Sequence, residues 1–142
     1  MKALLVALLI AAGCSPSAVT DWHGFPVRQI DAAGQTLSVA VASTSAQRKQ
    51  GLSGVTTLDG IDGMLFEFPD ITTTRFWMKD TLIPLDIAFF GDDGELIQVL
   101  SMPLCTTDPC PTYGPSDPYR WAIEAPAGGR LSTLPAGAVL VP

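Results

Sequence analysis

Residues 76–81, Phe-Trp-Met-Lys-Asp-Thr, place aromatic rings, a cation, a carboxylate and a hydroxyl next to one another. Side chains alternate along a strand, so Trp77 and Lys79 should share one face. An exposed Trp77 beside Lys79 and Asp80 would bind a small polar ligand or a sugar, because the ring stacks and the charged groups form hydrogen bonds. In the structural alternative, which the frequent burial of aromatic residues favours, Trp77 packs in the core and Lys79 pairs with Asp80 or Glu124.

Three carboxylates are candidates for acid, base or ligand-binding chemistry. Asp86 precedes an apolar run, which predicts a position at the rim of the domain beside Asp80 and Glu124. Two of these groups at a suitable separation would support glycoside hydrolysis. The alternative role for Asp86 is structural, as a cap on a turn or a member of an ion pair, and most paired carboxylates are structural. The predicted ligand-binding set is therefore Trp77, Lys79, Asp80, Asp86 and Glu124, and the candidate catalytic residues are Asp80, Asp86 and Glu124.

The sequence lacks the usual marks of several large enzyme classes. It contains no Gly-x-Ser-x-Gly elbow, no phosphate-binding glycine loop and no His-Glu-x-x-His motif. Its one histidine, His23, lies near the chain start and is a poor candidate for a catalytic base. The acidic residues near Asp59 and Asp92 do not follow the EF-hand pattern. We therefore predict no metal and no cofactor, and a non-enzymatic role is favoured.

Cys105 and Cys110 are separated by four residues, and in an exported protein such a pair first indicates a disulfide. Redox chemistry is less favoured, because the spacing is not Cys-x-x-Cys and no cation lies between the two residues. Metal ligation is weaker still without histidine partners. The short loop predicts local stiffening rather than a global staple.

The first fourteen residues, MKALLVALLIAAGC, combine a cation, an apolar run and small residues before Cys14. This pattern resembles the lipobox of bacterial lipoproteins, although Ala11 stands where Leu is usual. We expect residues 1–13 to be a signal peptide and Cys14 to carry the lipid. The expected location is the bacterial cell envelope, facing the periplasm, and Ser15 is compatible with the outer membrane.

The chain has 14 acidic and 8 basic residues and a formal net charge of −6. This negative field repels phosphate backbones, so nucleic acid is not expected as a partner. Attachment to a membrane would depend on the lipid alone, because no polybasic patch is present. A tether over residues 14–24 would lead into a single domain over residues 25–142, a length that suits one hydrophobic core.

Most of the remaining sequence has a β pattern. Residues 36–41 alternate polar and apolar side chains, and residues 27–31 can pair with them through an Ala-Gly turn. A short helix should begin after Ser43 or Thr44 and end at Gly51. Further strands are predicted over residues 64–68, which Pro69 should end, and over 75–78, 86–90, 95–100, 119–125 and 138–141. The Asp-Gly turn between the predicted strands 86–90 and 95–100 indicates a hairpin.

Residues 102–118 contain five prolines and both late cysteines, and predict a long irregular loop. No βαβ alternation is apparent. The expected fold is therefore mainly β, a compact antiparallel barrel or sandwich with one short helix and this Cys/Pro loop.

Residues 63–90, GMLFEFPDITTTRFWMKDTLIPLDIAFF, resemble the core signature of the DUF192 family. Arg48, the cysteine loop at 103–113 and the segment 122–128 are also similar to that family, and the resemblance extends over residues 37–139. Ser53, Asp80 and Gly137-Ala138 depart from its usual residues. The resemblance implies a compact β-rich fold in a family of small, often exported domains without a settled activity.

Three functions follow from these patterns. The first is a lipid-anchored, non-enzymatic binding module for a small polar ligand, a glycan or an envelope partner. The second is a carboxylate-dependent hydrolase that acts on an envelope substrate, with the Cys/Pro loop as a lid. The third is a purely structural or assembly protein that meets its partner through an apolar surface.

Overall fold

A computed structural model describes residues 20–142, which contain ten strands, one α-helix and one short 3₁₀ helix. The predicted signal peptide and Cys14 lie outside the described residues. The elements in chain order are β1 (Asp21–Trp22), β2 (Phe25–Ala32), β3 (Gln35–Ala42), α1 (Ser45–Gln50), β4 (Gly63–Thr72), β5 (Phe76–Trp77), β6 (Leu85–Phe90), β7 (Leu96–Met102), β8 (Thr112–Tyr113), β9 (Tyr119–Pro126), the 3₁₀ helix (Arg130–Thr133) and β10 (Leu140–Val141). None of the described helices is long and apolar enough to cross a membrane.

Eight strands form one sheet in the order β1-β2-β3-β4-β9-β6-β7, with β10 paired to β2. The predicted mainly β fold is confirmed. Of the two predicted forms, the sheet is sandwich-like and does not close into a barrel. All pairs in it are antiparallel except β3 with β4, which run parallel. Because parallel neighbours need a crossover, α1 lies in the connection between them. This one β-α-β unit was not predicted.

Both predicted hairpins are present. β2 pairs with β3 through Ala33 and Gly34, both at positive φ, and Asp31 accepts a hydrogen bond from the Gly34 N–H at 2.8 Å. β6 pairs with β7 through the predicted Asp-Gly turn, where Gly94 has φ +81°. Local turn chemistry therefore determines these two connections.

The predicted short helix is also present. Thr44 caps α1, because its hydroxyl accepts from the Gln47 N–H while the Gln47 side chain accepts from the Thr44 N–H. Gly51 ends the helix at φ +48°. A Cβ at that position would lie 3.4 Å from the Phe66 ring, so the residue also admits a close approach of the helix to β4.

Three boundaries differ from the prediction. Pro69 does not end β4, because the pairing with β9 shifts register between Glu67 and Thr72 and needs no N–H at the proline. The predicted strand 75–78 shortens to β5, which pairs only with β8 in a separate two-stranded sheet. β8 lies inside the segment expected to be wholly irregular.

The domain also begins earlier than expected. Residues 14–24 were predicted as a tether, but Asp21–Trp22 pairs with β2 and Trp22 is buried in the core. Its indole N–H donates to the Asp59 carbonyl at 3.2 Å. Burial of this large ring fixes the segment to the sheet.

Buried apolar side chains cover both faces of the sheet. One cluster contains Met64, Phe66, Ile87 and Phe89, and the other contains Leu65, Ala88, Phe90 and Ile123. Consecutive residues of β4 and β6 thus point to opposite faces. The two faces of the sheet therefore contribute to two separate apolar clusters.

The predicted disulfide between Cys105 and Cys110 is present, with their Cα atoms 5.6 Å apart. Cys105 packs against the apolar cluster that contains Phe66. The bridge closes the loop immediately before β8, so it joins the Cys/Pro segment to the small sheet.

Candidate functional site

A cavity of about 610 Å³ opens on the Phe66 face of the sheet. Its walls come from α1, the end of β4 and the segment that runs through β5 to Thr81, and β9 contributes one residue, Glu124. We refer to it as the Glu124 cavity. Trp77, Lys79 and Asp80 also line it, so the structure brings together four of the five predicted ligand-binding residues.

Glu124 is a buried carboxyl group with an apolar setting. Its cross-strand neighbours are Met64 on β4 and Ile87 on β6, and both belong to an apolar cluster. Only 5% of the residue is exposed. No described residue forms a hydrogen bond or an ion pair with its side chain. Burial raises the pKa of Glu124 to about 8, so the group holds its proton at neutral pH and can donate a hydrogen bond into the cavity.

A close backbone contact fixes the position of Glu124. Gly63 begins β4 directly against the Glu124 carbonyl, and a Cβ at Gly63 would collide with that oxygen. Only glycine permits this approach. Gly63 therefore helps to set the register between β4 and β9, although it has no side chain.

Aromatic rings form one wall of the cavity. Phe76 packs edge-to-face with Phe66 at a centroid distance of 4.9 Å and contacts Phe89 at 5.8 Å. The next residue, Trp77, points the other way and is 55% exposed. Lys79 lies in the turn after β5 and not on the strand, yet its ammonium is 5.4 Å from the Trp77 ring centroid, so the two side chains are neighbours.

The structural alternative for Trp77 is wrong. The ring lies outside the core, because Phe76 occupies the inward position of β5, and Lys79 pairs with neither Asp80 nor Glu124. Asp80 has φ +58°, an uncommon conformation for a residue with a side chain, and its carbonyl accepts from the Gly54 N–H at 2.8 Å. This tight backbone turn places Asp80 at the cavity.

Two arginines at the cavity are held by neutral groups. Arg48 donates to the carbonyls of Ser43 and Glu67, and its guanidinium lies 4.9 Å from the Phe68 ring centroid. Arg75 donates from Nε to the Thr112 hydroxyl at 2.9 Å and from Nη2 to the Thr112 carbonyl at 2.8 Å. Neither guanidinium forms an ion pair with a carboxylate among the described residues.

The Cys/Pro segment supports this wall from behind. Thr112 lies on β8 and is the partner of Trp77 across the small sheet. The disulfide ends at Cys110, two residues earlier. Tyr119 adds a further support, since its buried hydroxyl donates to the Thr74 carbonyl at 2.7 Å. Burial raises the pKa of Tyr119 above its ordinary value, so this hydroxyl stays protonated and remains a donor.

Asp86 does not join the site. It is 4% exposed, and its neighbours across the sheet are Ala125 and Ser101. It shares the face of Ala125, opposite to that of Glu124. Its Oδ2 accepts from the Gly128 N–H at 2.8 Å. The expected position at the rim is wrong, and Asp86 instead holds the turn after β9, as the structural alternative predicted.

Sequence reasoning missed part of the site. Arg75 and Phe66 were not singled out as functional residues, because nothing in their local pattern distinguishes them from strand residues. Arg48 was noted only through the family resemblance. His23 is exposed and is not among the residues that line the cavity. Over residues 20–142, no group of three or more His, Cys, Asp or Glu side chains could hold a metal ion.

Comparison with known proteins gives a family and two similar structures. The sequence profile of DUF192, described as an uncharacterized ACR, matches residues 27–134. No curated protein matches the chain. A crystal structure from Sinorhizobium meliloti, described as a candidate transcription regulator, is 25% identical, with a TM-score of 0.69 over 82% of this chain and 94% of that one. A protein of unknown function from Novosphingobium aromaticivorans is 26% identical, with a TM-score of 0.70 over 96% of this chain and 99% of that one.

Proposed function

This chain belongs to the DUF192 family, and we propose that it is a binding module that holds a small polar ligand in the Glu124 cavity. The observation that carries the proposal is the carboxyl of Glu124, buried among apolar residues, without a partner in the described part of the chain, and open to a cavity of about 610 Å³. A cavity of this volume suits a small ligand.

The Glu124 carboxyl forms no hydrogen bond within residues 20–142 and faces the cavity, so both of its oxygens are available to a ligand. A ligand with a hydroxyl or another polar atom would supply the missing partner when it binds. The ring of Trp77 at the rim would cover the ligand, since an exposed indole offers a flat apolar surface and costs little ordering entropy.

The test is a thermal-shift screen of the purified chain against sugars, sugar acids, sugar phosphates, nucleotides and amino acids. A ligand at about 100 times its dissociation constant adds roughly 2.7 kcal/mol to the free energy of unfolding, which moves Tm by several degrees. We expect the shift to be lost in Trp77→Ala and in Glu124→Leu, which removes the hydrogen-bonding group, whereas Glu124→Gln keeps a neutral donor and should bind the ligand.

Trp121→Ala is the matched control for the loss of an indole. Trp121 lies on β9 but packs against the other apolar cluster, so its removal should leave ligand binding unchanged. A shift that Trp121→Ala and Trp77→Ala reduce equally would place the ligand elsewhere and reject the cavity.

The proposal includes attachment to the cell envelope through a lipid on Cys14, with the domain facing the periplasm. The apolar run and small residues before Cys14 support it. Metabolic labelling with a radioactive fatty acid tests it, and we expect label in the wild-type chain and none in Cys14→Ser. Equal label in both chains, or none in either, would reject lipidation at Cys14.

A hydrolase is the second candidate, and the raised pKa of Glu124 favours it. A carboxyl group that stays protonated at neutral pH can act as a general acid, and Asp80 lines the same cavity as a second carboxylate. Turnover of an envelope glycan that is abolished by Glu124→Gln, with ligand binding retained, would establish this function. Binding without turnover would reject it.

A further inference from the structure

The cations of this protein fall into two groups. Outside the Glu124 cavity, each described cation pairs with a carboxylate: Arg28 with Glu67 at 2.6 Å, Arg120 with Asp92 at 2.7 Å and Arg130 with Asp62 at 3.8 Å. These pairs are ordinary features of a solvated surface.

The second group lines the cavity and consists of Arg48, Lys49, Arg75 and Lys79. Within residues 20–142, none of these four has a carboxylate within salt-bridge distance. Two carboxylates, Asp70 and Asp80, share the lining with these four cations. The cavity therefore carries a local excess of positive charge in a chain whose formal net charge is −6.

The arrangement of the two arginines leaves donors available. The hydrogen bonds of Arg48 use Nη1, and those of Arg75 use Nε and Nη2. Arg48 Nη2 and Arg75 Nη1 have no hydrogen-bond partner among the described residues. A guanidinium that is already fixed in place loses little conformational entropy when it binds an anion, and its N–H groups match carboxylate and phosphate oxygens.

We propose that the ligand of the Glu124 cavity is a small organic anion, in which a carboxylate or phosphate is attached to a ring that stacks on Trp77. This inference rests on the proposed function and names its ligand class. The four unpaired cations would bind the anionic group, and the aromatic wall would contact the ring. Glu124 is compatible with this ligand, because a protonated carboxyl does not repel an anion and can donate a hydrogen bond to it.

Isothermal titration calorimetry on the purified chain tests the inference with three matched probes: glucuronate, glucose 6-phosphate and glucose. We expect the better of the two anions to bind at least about tenfold more tightly than glucose, since a charge-assisted hydrogen bond is stronger than a neutral one. Comparison of the two anions identifies the acidic group. Added salt should weaken the binding of the anion and leave that of glucose unchanged.

Lys79→Gln and Arg130→Gln separate the local effect from the change in total charge. Both remove one exposed cation, but only Lys79 lines the cavity. We expect Lys79→Gln to weaken the binding of the anion about fivefold to tenfold. Arg130→Gln should change the affinity for the anion less than twofold.

The outcomes distinguish the inference from the proposed function. If glucose binds as tightly as the anions and Trp77→Ala abolishes binding, the ligand-binding function stands and the anionic class is overturned. If Lys79→Gln and Arg130→Gln weaken the anion equally, the cavity cations do not select it, and the inference is again overturned. If none of the three probes binds saturably and the thermal-shift screen gives only a neutral ligand whose shift Trp77→Ala abolishes, the inference is overturned and the ligand-binding function stands.

Discussion

Asp86 and Glu124 are the two buried acidic residues of the described chain, and they differ in what they contact. Asp86 accepts a hydrogen bond from the Gly128 N–H and holds a turn. Glu124 has no partner among the described residues and opens into a cavity. Both belong to the same sheet and are almost equally buried, so burial alone does not explain the difference.

Asp86 and Glu124 lie on opposite faces of the sheet because they are offset by one residue across the pair of β6 and β9. Asp86 lies opposite Ala125, whereas the next residue, Ile87, lies opposite Glu124. Because consecutive residues point to opposite faces, the two carboxylates face away from each other and cannot act as a catalytic pair. A buried carboxylate with a partner thus stabilises the fold, whereas one without a partner is a candidate for function.

The largest expected effect is the change that Glu124 causes in the free energy of unfolding as the pH rises. Its pKa is raised from the ordinary value of 4.5 to about 8 in the folded chain. Between these values the unfolded chain has released a proton that the folded chain keeps, so the free energy of unfolding falls as the pH rises. The slope is about 1.4 kcal/mol per pH unit across this window, and the contribution is fully retained below pH 4.5.

Urea unfolding from pH 4 to pH 9 measures this slope in the wild type and in Glu124→Gln. The variant should lose the Glu124 component, so the difference between the two curves isolates one group. Parallel curves would show that the pKa of Glu124 is the same in the folded and unfolded chain, and that its environment is not what separates it from Asp86. The other ionisable groups that line the cavity are Arg48, Lys49, Arg75, Lys79, Asp70 and Asp80.

A smaller effect is expected at Asp86. Asp86→Ala should lower the free energy of unfolding by about 1–3 kcal/mol, because the Gly128 N–H loses its acceptor. Asp86→Asn keeps an acceptor oxygen and should lose less. Chemical denaturation measures both variants. Ligand affinity should remain at the wild-type value in each variant. A loss of binding free energy larger than the loss in the free energy of unfolding would show that Asp86 belongs to the functional site.

The smallest effect on stability is expected at Trp77. The residue is 55% exposed and its main described contact is with Lys79, so Trp77→Ala should change the free energy of unfolding by less than about 1 kcal/mol. Trp121→Ala, which removes a half-buried indole from the second apolar cluster, should cost more. A greater loss at Trp77 than at Trp121 would make Trp77 a structural residue and weaken the contrast between the cavity and the core.

Local sequence signals predicted the turns and the helix well. Thr44, Gln47 and Gly51 specify α1 by hydrogen bonds within eight residues, and the Ala-Gly and Asp-Gly turns specify their hairpins. The prediction at Pro69 was wrong because the end of β4 depends on a strand that is distant along the chain. The missing N–H of Pro69 would end a regular ladder, but a register shift with a distant strand removed the need for that hydrogen bond.

The candidate site was only partly predictable. The cluster of Trp77, Lys79 and Asp80 is visible in the sequence because the three residues are nearly consecutive. Arg48 and Arg75 reach the same cavity from a helix and from a segment beside β5, and no local pattern relates them to each other.

The family, the mainly β character, the disulfide and the group of residues around Trp77 were all predictable from the sequence. These depend on composition and on contacts between residues that are close along the chain. Tertiary structure decided which face each carboxylate occupies and whether it has a partner. Asp86 and Glu124 lie on different strands, and the register between β6 and β9 is set by long-range pairing and packing. That register placed Asp86 on a backbone N–H and Glu124 at a cavity, a distinction that no pattern along the chain encodes.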